Sequence, residues 1–170
     1  MYKRQIVYNS HYLTFLDVSI FEFFDAIGFD QEEYIKETNN EFHTVKAVVE
    51  YRAPATLGDT VEVFTRIKNI GTSSITFQQE IYLLNSNKLI AMGEIVWVNT
   101  NQVEMKPTRV PDNLRNLLIE YQYLRGPDEI LTGLQSNVFK GLSFKLGTFL
   151  KNPMKRPESC LLYTSPSPRD

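Results

Sequence analysis

Few residues in this chain could do chemistry, and most of those that could gather near its start. Asn9 lies just ahead of a long apolar run, with Tyr8, His11 and Tyr12 beside it. An amide there either orients a bound carbonyl or water, or caps the helix that follows, and both readings stay open. The first backbone N–H groups of a helix have no partner within it. Together with the helix dipole they favour negative charge, so an oxyanion formed at this point would be stabilised. A carboxylate is the natural second group, as nucleophile or as the base that activates water. Asp17, Glu22 and Asp25 follow in the same run, and Asp17 is the one nearest its start. Each also reads as a polar edge facing solvent or a second copy. His11 could act as a base, but a lone histidine at a helix start is more often an ordinary polar residue. His43, the other histidine, has no acidic spacing around it that suggests a metal cluster or a triad. No metal and no cofactor is therefore expected.

Composition narrows the partners. Lys and Arg total 18 against 20 Asp and Glu, a formal charge of -2, so no field of one sign marks a nucleic-acid binder. No apolar run approaches the roughly 20 residues of a membrane helix, and Met1–Gln5 is followed by no apolar signal region. Cys160 is the single cysteine. A reducing compartment suits it, and the cytoplasm is the expected location. Residues 1–5 and the Ser/Pro-rich tail 160–170 differ in character from the rest. They read as adapter sequence flanking a gene, a natural disordered terminus being the alternative. What they flank divides into a domain over 6–122 and a basic extension over 123–159.

The elements that would hold these residues follow from periodicity. Between Ser10 and Ile27 apolar residues cover most of a helix surface, which predicts a buried helix, ended by Gly28 and followed by a short one from Asp30 to Lys36. Four strand patterns come next. Val45, Ala47, Val49 and Tyr51 alternate with polar residues; Thr60–Lys68 and Ser73–Leu84 alternate likewise; Leu89–Val98 is apolar on both faces and so central. Asp112–Tyr121 predicts an amphipathic closing helix through Leu114, Leu117 and Leu118. Residues 130–157 hold no acidic side chain and read as a peripheral, basic appendage. The fold class is α+β, an antiparallel sheet wrapped around one long central helix.

The stretch Ile6-Val7-Tyr8-Asn9-Ser10-His11-Tyr12-Leu13-Thr14-Phe15-Leu16-Asp17 resembles the opening of the hot-dog acyl-CoA thioesterases of the 4-hydroxybenzoyl-CoA thioesterase type. Their pattern is an Asp, four residues, then Val-x-[Asn/His/Tyr]-x-x-Tyr entering a long helix. Val7, Asn9 and Tyr12 fall on it, Asp17 on a position that is often acidic, and Tyr51-Arg52-Ala53-Pro54 with Gly58-Asp59 on the family's strand-turn-strand. The resemblance implies a hot-dog fold, hydrolysis of an acyl-CoA or acyl carrier protein thioester, and assembly as a homodimer or homotetramer. It also implies Asn9 and Asp17 as catalytic candidates and Tyr8, His11, Tyr12, Gly71, Thr72 and Ser73 as substrate contacts. Two departures stand out. The family's catalytic Asp falls on position 2, which is Tyr2, so this copy is expected to be a poor catalyst with its N-terminal segment replaced. No basic residue adjoins Gly71–Ser74 in sequence, which leaves a CoA nucleotide without a cation and favours a carrier protein. A non-catalytic acyl-thioester binding module and a hot-dog dehydratase or hydratase are the alternatives, although the Asp/His pair of the latter is not found.

Overall fold

A computed structural model describes residues 6–56, 58–84, 86, 88–124 and 139–145. The leader and tail expected to be non-native, with the Tyr2 position, lie outside these residues, as does most of the 123–159 stretch. The elements run α1 (Asn9–Ala26), α2 (Gln31–Thr38), β1 (Asn40–Tyr51), β2 (Thr60–Ile70), β3 (Ser74–Leu83), β4 (Lys88–Asn101), β5 (Lys106–Pro107), α3 (Asp112–Leu124) and β6 (Phe139–Lys145).

All strand pairings are antiparallel, in the order β1-β4-β3-β2-β6, with β5 on the end of β4. α1 lies across the inner face. It buries Tyr12, Phe15, Leu16, Ser19, Ile20, Phe23 and Phe24, a stripe of helical spacing. The apolar residues beyond that stripe do not make it buried all round: Leu13 and Phe21 each keep 37% of their surface exposed. Inner residues of β2 and β3, among them Val61, Val63, Ile67, Ile75, Phe77 and Ile81, meet this stripe, as their alternation predicts. At the far end of α1 an aromatic cluster closes the core, Phe24 stacking on Trp97 at 5.5 Å and Phe23 standing edge-on to Phe77 at 6.3 Å. Gly28, at φ +75, ends α1 where the sequence predicts, and Asp30 caps α2 by accepting from the Glu33 amide at 2.9 Å.

Two expectations give way. The alternating face of β1 was expected to be half-buried, but Thr44–Val48 are exposed. Pairing shifts between Thr44 and Lys46, so Val45 bulges out of the alternation. A helix about 10 Å across covers only two or three strands spaced about 4.8 Å apart. α1 packs on β2, β3 and β4 and meets β1 only near its ends, through Phe42 and Tyr51, so that among the described residues the middle of β1 is left as an open edge. Residues 139–145, read from sequence as part of a peripheral appendage, instead pair with β2 from Thr60–Lys145 to Thr65–Phe139 and cover its outer edge. Alternation too short and too mixed to stand out as a strand hid it.

Candidate functional site

The start of α1 is held from the side. Val7 donates its amide to the Ala55 carbonyl at 3.0 Å, and Ile6 bridges to Thr56. That turn is in turn closed by Asp59, whose carboxylate accepts from both the amide and the hydroxyl of Thr56 at 2.8 Å, with Gly58 at φ +98. The strand-turn-strand of the sequence motif therefore serves to fix where the helix begins. The N-cap is Tyr8, in extended conformation and with no side-chain cap, and the first turn holds no acidic residue. Neither Asn9 nor Ser10 caps it, contrary to one of the two readings of Asn9. The leading N–H groups are thus left without a side-chain acceptor, the condition that favours an anion there.

Around this tip the predicted residues do converge. Asn9 is exposed, and its carbonyl accepts from the Tyr51 hydroxyl at 3.1 Å. Tyr8 is 72% exposed, and its ring meets that of half-buried His11 at 6.2 Å. Tyr12 is buried and packs edge-on to Tyr51 at 5.3 Å. Burial pushes its hydroxyl up from the ordinary 10.0; the Ala55 backbone opposes this, while Tyr51 and Asp59 add to it. Tyr12 therefore stays a neutral hydrogen-bonding group.

Asp17 and the Gly71 turn do not converge with it in one chain. Asp17 lies two turns on, about 12 Å along the axis at about 1.5 Å per residue. It shares a row with Leu13 and Phe21. Phe21 touches Trp97 at 5.4 Å and Phe24, on the same side of the helix, touches Phe42 of β1 at 6.1 Å. The row thus flanks the open β1 edge, where Ala47, Val49 and Tyr51 pair with the inward Ile95, Gly93 and Ala91 and so point to the helix side. Half-burial with no ion pair among the described residues raises the Asp17 carboxyl above its ordinary 3.8. Gly71, Thr72 and Ser73 sit toward the opposite end of α1, whose 18 residues span about 27 Å. There Ser73 accepts from the Asn99 amide at 2.8 Å, and Asn99 follows Trp97 along β4.

That turn also carries what the sequence hid. Thr72 accepts from the Val110 amide at 2.9 Å, and Arg115 of α3 donates to the Gly71 carbonyl. Ile70, Gly71, Thr72, Arg109 and Arg115 bound a cavity of about 390 Å³. The expectation that the turn lacks basic neighbours is overturned, because the cations arrive from the segment after β5. No spacing in the sequence signals that contact.

Fold and site together define a hot-dog domain of the thioesterase kind. The sequence profile of the Thioesterase-like superfamily matches residues 5–118, and the chain belongs to that family of thioester-cleaving enzymes. It is similar to the acyl-CoA thioester hydrolase YbgC of Escherichia coli O6:H1, 30% identical over 109 residues that cover 64% of this chain and 80% of that protein. Among solved structures it resembles the 1,4-dihydroxy-2-naphthoyl-CoA thioesterase of Synechocystis, with 19% identity, a TM-score of 0.64 and coverage of 68% and 84% of the two chains. The probable thioesterase YbaW of Escherichia coli is also similar, at 25% identity and a TM-score of 0.57 over 67% of this chain and 84% of that one. No helix among the described residues is long and apolar enough to cross a membrane.

Proposed function

We propose that this chain hydrolyses acyl-CoA thioesters in the cytoplasm, with the reacting carbonyl seated at the start of α1. The observation that carries this reading is the uncapped, firmly held tip of a core helix, presented beside Asn9, His11 and Tyr12. Water adds to the carbonyl carbon, the negative charge passes to the oxygen facing the N–H groups, and the C–S bond then breaks. The thiolate leaves and takes up the proton, and a carboxylic acid remains. An oxyanion donor of this kind contributes about 3 kcal/mol. The family's carboxylate is represented at its usual place by Tyr2, so the rate in this copy is low, with Asp17 as the remaining candidate acid.

The Asp17 row and the open β1 edge support a site completed by a second copy. An exposed edge strand invites antiparallel pairing, and a two-fold related copy of β1 would roof the trough that Leu13, Asp17 and Phe21 leave half open. A homodimer, or two of them as a tetramer, is the assembly this implies.

Release of free thiol from aromatic and fatty acyl-CoAs, followed with a thiol-reactive dye, tests the reading. The chain as given should turn over slowly, and Tyr2→Asp should raise the rate on the order of a hundredfold, the usual worth of a positioned acid or base. Tight binding of acyl-CoA with no thiol release from either form would instead make the domain a thioester-binding module.

A further inference from the structure

We infer that Tyr51 is a positioning residue for the reaction proposed above, on which its role rests: its hydroxyl fixes and polarises the peptide between Asn9 and Ser10, whose N–H faces the developing oxyanion. The start of α1 leaves two amides, those of Asn9 and Ser10, without an acceptor among the described residues. The next amide, that of His11, turns back to the Tyr8 carbonyl at 3.0 Å. Each of the two free N–H groups belongs to a peptide whose carbonyl is held on its far side. The Tyr8 carbonyl, across the peptide from the Asn9 N–H, takes the His11 amide. The Asn9 carbonyl, across the peptide from the Ser10 N–H, takes the Tyr51 hydroxyl at 3.1 Å.

A peptide unit is planar, so a bond that fixes its C=O also fixes the direction of its N–H. A donor on the carbonyl draws electron density from the nitrogen as well, which strengthens the N–H as a donor by about 10–30%. Where that N–H stabilises an oxyanion, the gain is about two- to fivefold in rate. The hydroxyl is 42 residues away in sequence from the peptide it serves, and no motif at the helix start announces it.

The phenol is itself held in place. Tyr51 closes β1 opposite Ala91, and the two amides that follow it, those of Arg52 and Ala53, both donate to the Ile90 carbonyl at 2.8 and 3.1 Å. Its ring stands edge-on to Tyr12 at 5.3 Å. The charged groups nearby are engaged elsewhere, Arg52 with Glu50 and Asp59 with Thr56. Tyr51 keeps 47% of its surface exposed, so water can replace the hydroxyl at the carbonyl with little loss of stability. Water does not hold the peptide in one direction, and that is what the fixed phenol adds.

Two variants of the full chain test this. Tyr51→Phe keeps the ring against Tyr12 and loses only the hydroxyl. Thiol release from benzoyl-CoA should then show kcat lower by about threefold, with KM and the thermal midpoint nearly unchanged. Replacing Tyr51 with 3-fluorotyrosine, a more acidic phenol and stronger donor, should raise kcat above that of the native chain at mildly acidic pH, where the phenol keeps its proton. A merely structural tyrosine gives no such order. Independently of turnover, the amide nitrogen resonance of Ser10 should move upfield in the phenylalanine variant and downfield in the fluorinated one. A Ser10 resonance indifferent to both variants overturns the inference, and so does a change confined to KM, which would make Tyr51 a substrate contact. Hydrolysis with the same kcat in all three forms removes the role of Tyr51 and leaves the enzyme. A Ser10 resonance that responds, with no thiol released by any form, leaves the hold on the peptide and removes the enzyme.

Discussion

Gln79, in the middle of β3, donates a 2.8 Å hydrogen bond to the carbonyl of Leu16, in the middle of α1. Its amide also donates to the Thr65 hydroxyl at 2.9 Å, and Thr65 in turn meets Ser19 at 2.7 Å. All three side chains are fully buried. A polar clasp thus fixes the sliding position of the helix on the sheet, where an apolar contact alone would tolerate several.

Removing the clasp should be costly. Gln79→Ala leaves a void and strips Thr65 of a donor, and an expected loss of about 2–4 kcal/mol is measurable by urea denaturation. Gln79→Met, which fills the volume, should lose less. Equal losses for the two would show that packing contributes nothing at this point.

The same contact depends on a residue without a side chain. A Cβ on Gly93 of β4 would collide with the Leu16 side chain, so the helix approaches the sheet most closely there. Gly93→Ala should cost about 1–3 kcal/mol by overpacking. Combined with Leu16→Ala it should cost clearly less than the sum of the two single changes, since they share one space. Strict additivity in thermal unfolding would contradict this.

On the outer face of the sheet Glu94 bridges Lys46 at 2.8 Å and Lys68 at 2.5 Å. Hydrogen bonds from Lys46 and then Lys68 hold its carboxyl at about 2 against an ordinary 4.5. A depressed folded value means the contribution is present above 4.5 and is lost as pH falls toward 2. NMR titration of the side-chain carboxyl should find the low value, and Lys46→Met should move it upward. Because the pair is exposed, salt should do the same.

Asp17 behaves oppositely. Its carboxyl is raised by burial, so ionisation opposes folding, and the stability it permits is full below its ordinary 3.8 and declines as pH rises through the higher folded value. Asp17→Asn should flatten that decline while abolishing the slow thiol release, if Asp17 is the remaining acid. Denaturation midpoints across the acid range, set beside the hydrolysis assay, separate the two effects. A variant that keeps full activity would remove Asp17 from the chemistry.

The legible parts of the fold were those decided by neighbours in sequence. Val61, Val63 and Ile67 of β2 and Ile75, Phe77 and Ile81 of β3 alternate because each strand meets the core on one face, and the buried positions are the ones their pattern marks. Gly28 and Asp30 punctuate the helices through local geometry alone. The same logic misread the middle of β1, where Val45 and Ala47 carry the alternating pattern of a covered strand and yet are exposed, α1 meeting β1 only near its ends through Phe42 and Tyr51. Their apolar character suits a surface that a second copy would cover.

By itself the sequence determined the class of domain and the residues at the tip of α1, since a helix start, its apolar stripe and the turn that steadies it are all encoded within short spans. Which groups share a space was decided only by the tertiary structure. Arg115 reaches Gly71 across 44 positions, and the Tyr51 hydroxyl reaches the Asn9 carbonyl across 42. The physical reason is that a strand period or a helix cap is a property of a few bonded neighbours. The meeting of a turn and a distant arginine depends on how every element between them packs.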